Sequence, residues 1–590
     1  MLDTLRRNPL RSRRAHALAI GLALTLTAAA PAGAAWHEPV PGPVYDSIGP
    51  SRDPSMTVID GVPYVAWSQW DGTNSEIRVA RLDAAGTAWE EVVGGESPIN
   101  HSPVEDGEDP SLTSIGGVPY VAWSEHQGTD YVARVSRLAA DGTAWEDVGG
   151  GASPPVANHF SLNPSITAAG GVPYVTWSEN GNAIAFSRLN ADGTAWEPVG
   201  NALPGSDWSS MATVDGIPYV TSKSGGAVFV ARLNAAGTAF DPVGGAAGTG
   251  VASIASIGGV AYVASADIVP GSHEVRVRRL SDDETAWEEV GGGALNHSSD
   301  EDALEPSIAE IGGVPYVAWV EVLEHDFAHQ QLRVSRLGAS GTAWDEVVGG
   351  DNPFGVPLDH TANHPSLVGI GGVPYVAWEH TYPGRTDLRV HRLEPDFLAQ
   401  GAIATDHEAL MLSLVRTHGV PYPIVFQYGA NGSLGRTDVT RTTADLDEDT
   451  VIQKLSGLPP DTVFAWRPVG FDGFRVTGAG PKGSFTTLPA PKRRVRLLVA
   501  IVPPRIESRA GRRVVVRYFA TRRTTVTLEL RRRGEVLAEV GGKAHVGRNA
   551  IAWDGRTAFD GPGRYMLVLK ARTPDGQTAG DRVPLRIRRP

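Results

Sequence analysis

The chain has 590 residues, no cysteine and a formal net charge of −14, with 66 Asp and Glu against 52 Lys and Arg. That length implies several domains with ample core. The lack of cysteine excludes disulfides and thiolate chemistry, and the absence of any basic motif interleaved with aromatics argues against nucleic acid as a partner.

Residues 1–35 read as a secretory signal. Arg6, Arg7, Arg11, Arg13 and Arg14 precede an apolar run from Ala17 to Ala30, and Ala32-Gly33-Ala34 has the small-x-small form of a cleavage site. No later apolar run is long enough to span a bilayer, so no membrane span is expected. The mature chain is expected to be secreted, extracellular or at the cell surface.

Residues 36–398 carry seven copies of one pattern. Each is anchored by a Tyr, usually in Gly-Val-Pro-Tyr-Val: Tyr64, Tyr120, Tyr174, Tyr219, Tyr262, Tyr316 and Tyr375. Their spacings of 56, 54, 45, 43, 54 and 59 residues are those of propeller blades with loops of variable length. Each copy reads as four short alternating strands punctuated by Gly, Asp and Asn. The first begins at Pro-Ser or its equivalent, the second holds the Tyr, the third ends in Arg-Leu, and the fourth starts at an aromatic such as Trp89, Trp145 or Trp344. Only six fourth strands follow an Arg-Leu strand. After Arg392-Leu393 the piece is missing, but Trp36-His37-Glu38-Pro39-Val40 resembles Trp196-Glu197-Pro198-Val199 and precedes the first copy. Supplying the last blade from the N-terminus hides two strand edges. The expected fold is therefore all-β: a seven-bladed β-propeller closed by an N-terminal strand, followed by two β-sandwich domains.

Residues 400–488 resemble a bacterial fibronectin type III domain through Phe426-Gln427-Tyr428-Gly429, Leu455-Ser456-Gly457-Leu458-Pro459-Pro460 and Gly483-Ser484-Phe485-Thr486-Thr487. The chain has Phe464 where that family usually has a Tyr. A linker spans 489–494. Residues 495–590 resemble the immunoglobulin-like module of flagellar hook-cap proteins, through Gly547-Arg548-Asn549-Ala550-Ile551-Ala552-Trp553 and Gly563-Arg564-Tyr565. The resemblance implies a spacer or attachment role rather than chemistry.

Charge divides between these parts. From residue 490 on there are 24 Lys and Arg against 8 Asp and Glu, while residues 36–489 have 23 against 57. The densest basic clusters are Arg531, Arg532, Arg533 and Lys492, Arg493, Arg494. They are candidates for an anionic envelope polymer, against the plainer reading of a solvated surface.

In a propeller, the loops leading into the inner strands and the loops between second and third strands share one face. The first kind ends at Asp53, Asp109, Asn163, Glu305 and His364; the second begins at Glu125, Glu179, Glu321 and Glu379. All nine are candidates to ring the channel mouth and bind a protein or glycan. The leading loops of blades two and six also match, and Glu105, Asp106 and Asp109 with Glu301, Asp302 and Glu305 are candidates for Ca2+, which takes six to eight oxygens. No loop has the spacing of a known calcium motif, and acidic turns are commonly just solvated. Most Trp residues recur at fixed strand positions and read as packing; Trp70 and Trp208 lie off the grid and read as exposed contacts. Asp141-Gly142-Thr143-Ala144-Trp145 is spaced too tightly for the Asp-box of sialidases. Regular repeats without a unique insertion favour a binding or scaffold protein; the alternative is an extracellular carbohydrate-active hydrolase or lyase with paired carboxylates at the mouth.

Overall fold

The computed structural model describes residues 36–46, 49–93, 99–153, 160–205, 208–350, 352–437, 441–443, 448–489, 496–509, 512–553 and 561–589. The signal-like segment and the cluster Lys492, Arg493, Arg494 lie outside them. No helix among the described residues is long and apolar enough to cross a membrane.

Seven antiparallel four-stranded sheets form the first part, the third with an added short strand at Leu203–Pro204. Six are continuous in sequence. The seventh combines Thr361–Ile370, Val373–Tyr382 and Arg385–Leu393 with Trp36–His37, in the register Trp36 to Leu393 and His37 to Arg392. The innermost strands lie side by side in a closed circle, with Thr361–Ile370 against Ser51–Ile59. The N-terminal strand thus closes the propeller.

The repeated serine explains how the blades hold together. In turn round the ring, the hydroxyls of Ser55, Ser111, Ser165, Ser210, Ser253, Ser307 and Ser366 accept the backbone N–H of Leu112, Ile166, Met211, Ile254, Ile308, Leu367 and Met56, at 2.8–3.4 Å. Each bond crosses one blade boundary, and the last crosses the seam. The recurring Trp does the same farther out. Trp145, Trp196, Trp287 and Trp344 donate their indole N–H to Val92, Val148, Val243 and Val290 of the preceding blade at 2.7–3.2 Å. Trp36 repeats the contact from the seventh blade to the sixth, donating to the Val347 carbonyl at 3.4 Å. Phe240, which has no N–H, stacks on Phe186 instead, with ring centroids 4.2 Å apart. The second-strand residues Trp67, Trp123 and Trp319 are wholly buried, as packing between blades requires.

Two β-sandwiches follow. The middle unit pairs a sheet of Asp396–Ala404, Glu408–Arg416 and Glu448–Ser456 with one built on Pro423–Ala430 and Val463–Phe471. Phe464 is buried there and stacks on Phe485, with ring centroids 5.2 Å apart. The C-terminal unit pairs Val499–Val502, Val514–Ala520 and Gly547–Trp553 with a five-stranded sheet around Gly563–Arg572.

The middle unit sits on the ring face opposite the mouth, across the seam. In every blade the anchor Tyr faces the Arg of the third strand, as Tyr64 faces Arg81 and Tyr375 faces Arg392. In the last blade this pair is taken over: the Tyr375 hydroxyl donates to Asp472 at 2.8 Å, and Arg392 donates to the Thr477 carbonyl at 2.6 Å. Arg475 reaches the first blade, donating to Asp83 and Gly61 carbonyls at 3.1 and 3.4 Å. The turn glycines of both blades are required here: a Cβ on Gly371 would lie 1.8 Å from the Asp472 carbonyl oxygen, and one on Gly61 would lie 1.9 Å from the Phe474 ring.

Candidate functional site

Five of the seven inner strands open with the same irregularity. The ladder breaks between Arg52 and Ser55, Glu108 and Ser111, Leu162 and Ser165, Leu304 and Ser307, and Asn363 and Ser366. The residue before each proline has left-handed φ: Asp53 53°, Asp109 53°, Asn163 49°, Glu305 52° and His364 47°. The proline fits the bulge because it has no N–H to give the ladder. The left-handed residue before it is strained, and such strain collects at functional positions. These five side chains stand round a cavity of about 300 Å3 at the mouth. Blades four and five have no such acid. Their arc is lined by Ser209, Val251 and Ala252 and covered by Trp208, whose ring is 42% exposed and stacks on His364 at 6.0 Å. The ionisable groups and the exposed aromatic therefore meet at His364.

The second candidate set behaves differently. Glu125 and Glu321 are buried and salt-bridged to Arg134 and Arg333 at 2.9 and 2.8 Å. They fasten the leading loops, accepting the N–H of Ser102 and of His297 at 2.8 and 2.7 Å. Glu179 is half-buried at the strand end opposite Ala183. None of the three lines the cavity. For Glu125 and Glu321 the placement follows from an arginine two positions along the neighbouring strand, opposite the Trp, which draws the carboxylate inward; blade three has Ala185 there. Glu379 does not line the cavity either, but it stands directly behind the lining residues. The corresponding Arg389 pairs instead with Glu38 of the N-terminal segment and with Asp387, at 2.8 and 3.2 Å. Glu379 turns to the mouth, where Oε1 accepts the Asp53 N–H at 2.6 Å and bonds His364 Nδ1 at 2.8 Å.

His364 is the hub. Its backbone N–H donates to Glu305 at 2.7 Å, and its ring lies 3.5 Å from both Asp53 and Glu305 oxygens. Burial opposes its charge, but the Glu379 hydrogen bond and the carboxylates of Glu305, Glu379 and Asp53 hold its pKa up, to about 10. Asp53 is pushed up to about 7 by burial and then by the Glu379 charge. Asp109 is pushed up to about 6 by burial and by Glu108. Glu108, half-buried, is itself raised by burial and by Asp106.

The candidate calcium residues are not gathered. Asp106 accepts the Ser75 N–H at 2.6 Å, and Glu105 lies 3.4 Å from His126. Asp302 bonds His273 and His325 at 2.8 and 3.1 Å, and the Glu301 carbonyl is taken by Asn296. The two loops tie neighbouring strands, and only Asp109 and Glu305 reach the mouth. Among the described residues the group with ligand spacing is Asp53, His364 and Glu379, within 4.8 Å of one another, but a protonated imidazole has no lone pair free for a cation. In the C-terminal unit, Arg531 pairs with Glu529 at 2.7 Å, Arg532 lies over the Tyr565 ring at 5.2 Å, and Arg533 occupies a turn at φ 51°. Two members of the cluster are thus engaged within the sandwich.

No protein-family model matches the chain, and no curated protein matches it. Solved structures do. Trypanosoma rangeli sialidase aligns at 12% identity and TM-score 0.35, covering 91% of this chain and 85% of that one. The GH43_1 enzyme from Xanthomonas citri complexed with xylose aligns at 14% and 0.28, covering 44% and 96%. The α-L-arabinanase of Cellvibrio cellulosa complexed with arabinohexaose aligns at 13% and 0.29, covering 60% and 92%. These neighbours are carbohydrate-active hydrolases, and the expectation of a non-catalytic binding or scaffold protein is corrected accordingly. At such scores the alignments carry no chemistry over, so what this mouth does is argued from its own residues.

Proposed function

We propose that the chain is a carbohydrate-active hydrolase whose site is the propeller mouth. One observation carries the reading: two acids of unequal proton occupancy, Asp53 at about 7 and Asp109 at about 6, share one narrow cavity with an exposed tryptophan in its lining. Glycoside cleavage needs a proton donor and an ionised carboxylate together, and environments that push two carboxyls apart supply them. Near pH 6.5 Asp53 is the proton donor and Asp109 the base or nucleophile. Glu379 fixes His364 and the Asp53 backbone. Trp208 offers a flat apolar face for a sugar ring. The cavity holds one or two rings, not a long chain. The signal-like start supports action outside the cytoplasm, and the likeness of the two sandwiches to fibronectin type III and immunoglobulin-like modules supports a role as spacers.

The test is product release from a panel of neutral, amino-bearing and acidic oligosaccharides, with wild type, Asp53→Asn and Asp109→Asn compared. The expected result is turnover with a bell-shaped pH profile centred near 6.5, cut 10²-fold or more in either variant. Asn tolerates left-handed φ, so both variants should fold. No turnover by wild type on any member, or full turnover by both variants, would refute the proposal.

A further inference from the structure

The charge of the mouth names the kind of sugar it takes. Its ionisable side presents Asp53, Asp109 and Glu305, with Glu379 behind them, against one imidazolium, His364. No Lys or Arg lines the cavity among the described residues. The whole propeller segment has a single lysine, Lys223, on the second strand of blade four. The guanidinium whose charge reaches the group is that of Arg52, which is exposed beside Asp53 and also acts on Glu108. Asp109 forms no salt bridge among the described residues, and the three carboxylates around His364 outnumber its one charge.

Sugars that bear carboxylates are recognised by forked guanidinium donors. A uronate or sialyl group entering this cavity would meet carboxylates and lose its water without such a partner. An ammonium would meet the opposite: the carboxylates of Asp109 and Glu305, which share the single charge of His364 with Asp53 and Glu379, and the exposed part of the Trp208 ring, which also attracts cations.

We propose that the mouth selects sugars carrying a free amino group and refuses sugars carrying a carboxylate. This rests on the mouth being the glycan site of the proposed hydrolase. A bound ammonium stabilises the ionised forms of Asp53 and Asp109, both of which hold part of their proton near neutral pH. Binding should therefore expel protons to the buffer, a signal that no catalytic step is needed to produce.

The experiment is isothermal titration calorimetry of the full chain at pH 6.5 in two buffers of different ionisation heat. The probes are a tetramer of glucosamine, its fully N-acetylated counterpart and a tetramer of galacturonate. The glucosamine tetramer should bind at least about 10-fold more tightly than the N-acetylated one, with proton release that Asp53→Asn and Asp109→Asn each reduce. Glu305→Gln should weaken the amine without changing proton release as much. Melting curves establish that each variant is folded. Equal affinity for the amino and N-acetylated tetramers, tighter binding of galacturonate, or no binding of the glucosamine tetramer would each overturn the inference. Product release is scored separately. Selective binding of the amine without cleavage would refute the hydrolase reading alone, and cleavage of the galacturonate tetramer would refute the charge selection alone.

Discussion

Closure by Trp36 can be put to a quantitative test. Its side chain is 2% exposed, stacks on Phe354 at 4.6 Å and donates to the Val347 carbonyl of the sixth blade. Truncating a buried Trp costs about 3–5 kcal/mol, through lost burial and the cavity left behind. Unfolding entropy near 2.1 cal/mol/K per residue, over the roughly 360 residues of the ring, gives about 0.75 kcal/mol/K. Trp36→Ala should thus lower the ring's melting temperature by about 5 °C. Trp145→Ala, which breaks the same contact inside the ring, should cost a similar amount. Deletion of residues 36–42 should do more, because it also removes the Glu38–Arg389 pair and bares the edge of Arg385–Leu393. That edge should make the deletion variant aggregate in proportion to its concentration. Scanning calorimetry with light scattering reads both effects, while the two sandwiches keep their own transitions. Unchanged melting and no aggregation in the deletion variant would refute the idea that this strand closes the ring.

Other outcomes follow from single contacts. Ser253→Ala breaks one inter-blade bond and leaves the Ile308 N–H unpaired, so chemical denaturation should show a loss of about 1 kcal/mol. Asp53→Asn should stabilise the fold at alkaline pH. A carboxyl raised from 3.8 to about 7 is favourable to folding when protonated and loses that stability as pH climbs from about 4 through 7, by at most about 4 kcal/mol; part of the gain is returned because His364 loses a carboxylate. The wild-type imidazolium runs the same way, its contribution intact below about 6.5 and lost as pH approaches 10. Gly371→Ala should loosen the middle unit by forcing the Asp472 carbonyl away, raising protease sensitivity around residue 472 while the ring's melting changes little. Glu38→Gln should free Arg389 to approach Glu379 and so lower the His364 pKa, read by NMR titration of that ring.

The ring was legible because repetition exposes the register. Seven anchors, seven Arg-Leu strands and six outer aromatics left one vacancy, and only Trp36 could fill it. The mouth was legible in part. Proline after Asp53, Asp109, Asn163, Glu305 and His364 marked one position that five inner strands share, and these five residues line the channel mouth. The loop glutamates misled because sequence does not show which cation a carboxylate will find. Glu125 and Glu321 look like Glu379 in the chain, yet Arg134 and Arg333 pull them out of the mouth. The similarity of the loops holding Asp106 and Asp302 likewise reflects a shared bracing job, each carboxylate accepting a backbone N–H from the preceding blade, at Ser75 and His273. Trp208 was visible only as a break in the grid; that it lines the mouth and stacks on His364 needed the fold.

Closure and chemistry meet in the last blade. The strand that completes it comes from the other end of the chain and brings Glu38 with it. Glu38 occupies Arg389, and the arginine that would otherwise bury the second-strand glutamate is lost to Glu379. A carboxylate released in this way has two choices, water or another cation, and His364 stands 2.8 Å away. The imidazolium that results holds Glu305 and Asp53 around it, and burial of that cluster leaves Asp53 partly protonated at neutral pH. In blades two and six the second-strand glutamate is held by its own blade's arginine, so neither can make this arrangement from its own residues. The asymmetry a reaction centre needs enters a repetitive ring at the one place where the repeat is interrupted. On the opposite face the middle unit takes hold of the same blade through Tyr375 and Arg392. The seam is thereby clamped from below while its upper end carries the strained residues, which is how a ring with open chain ends can keep its mouth rigid.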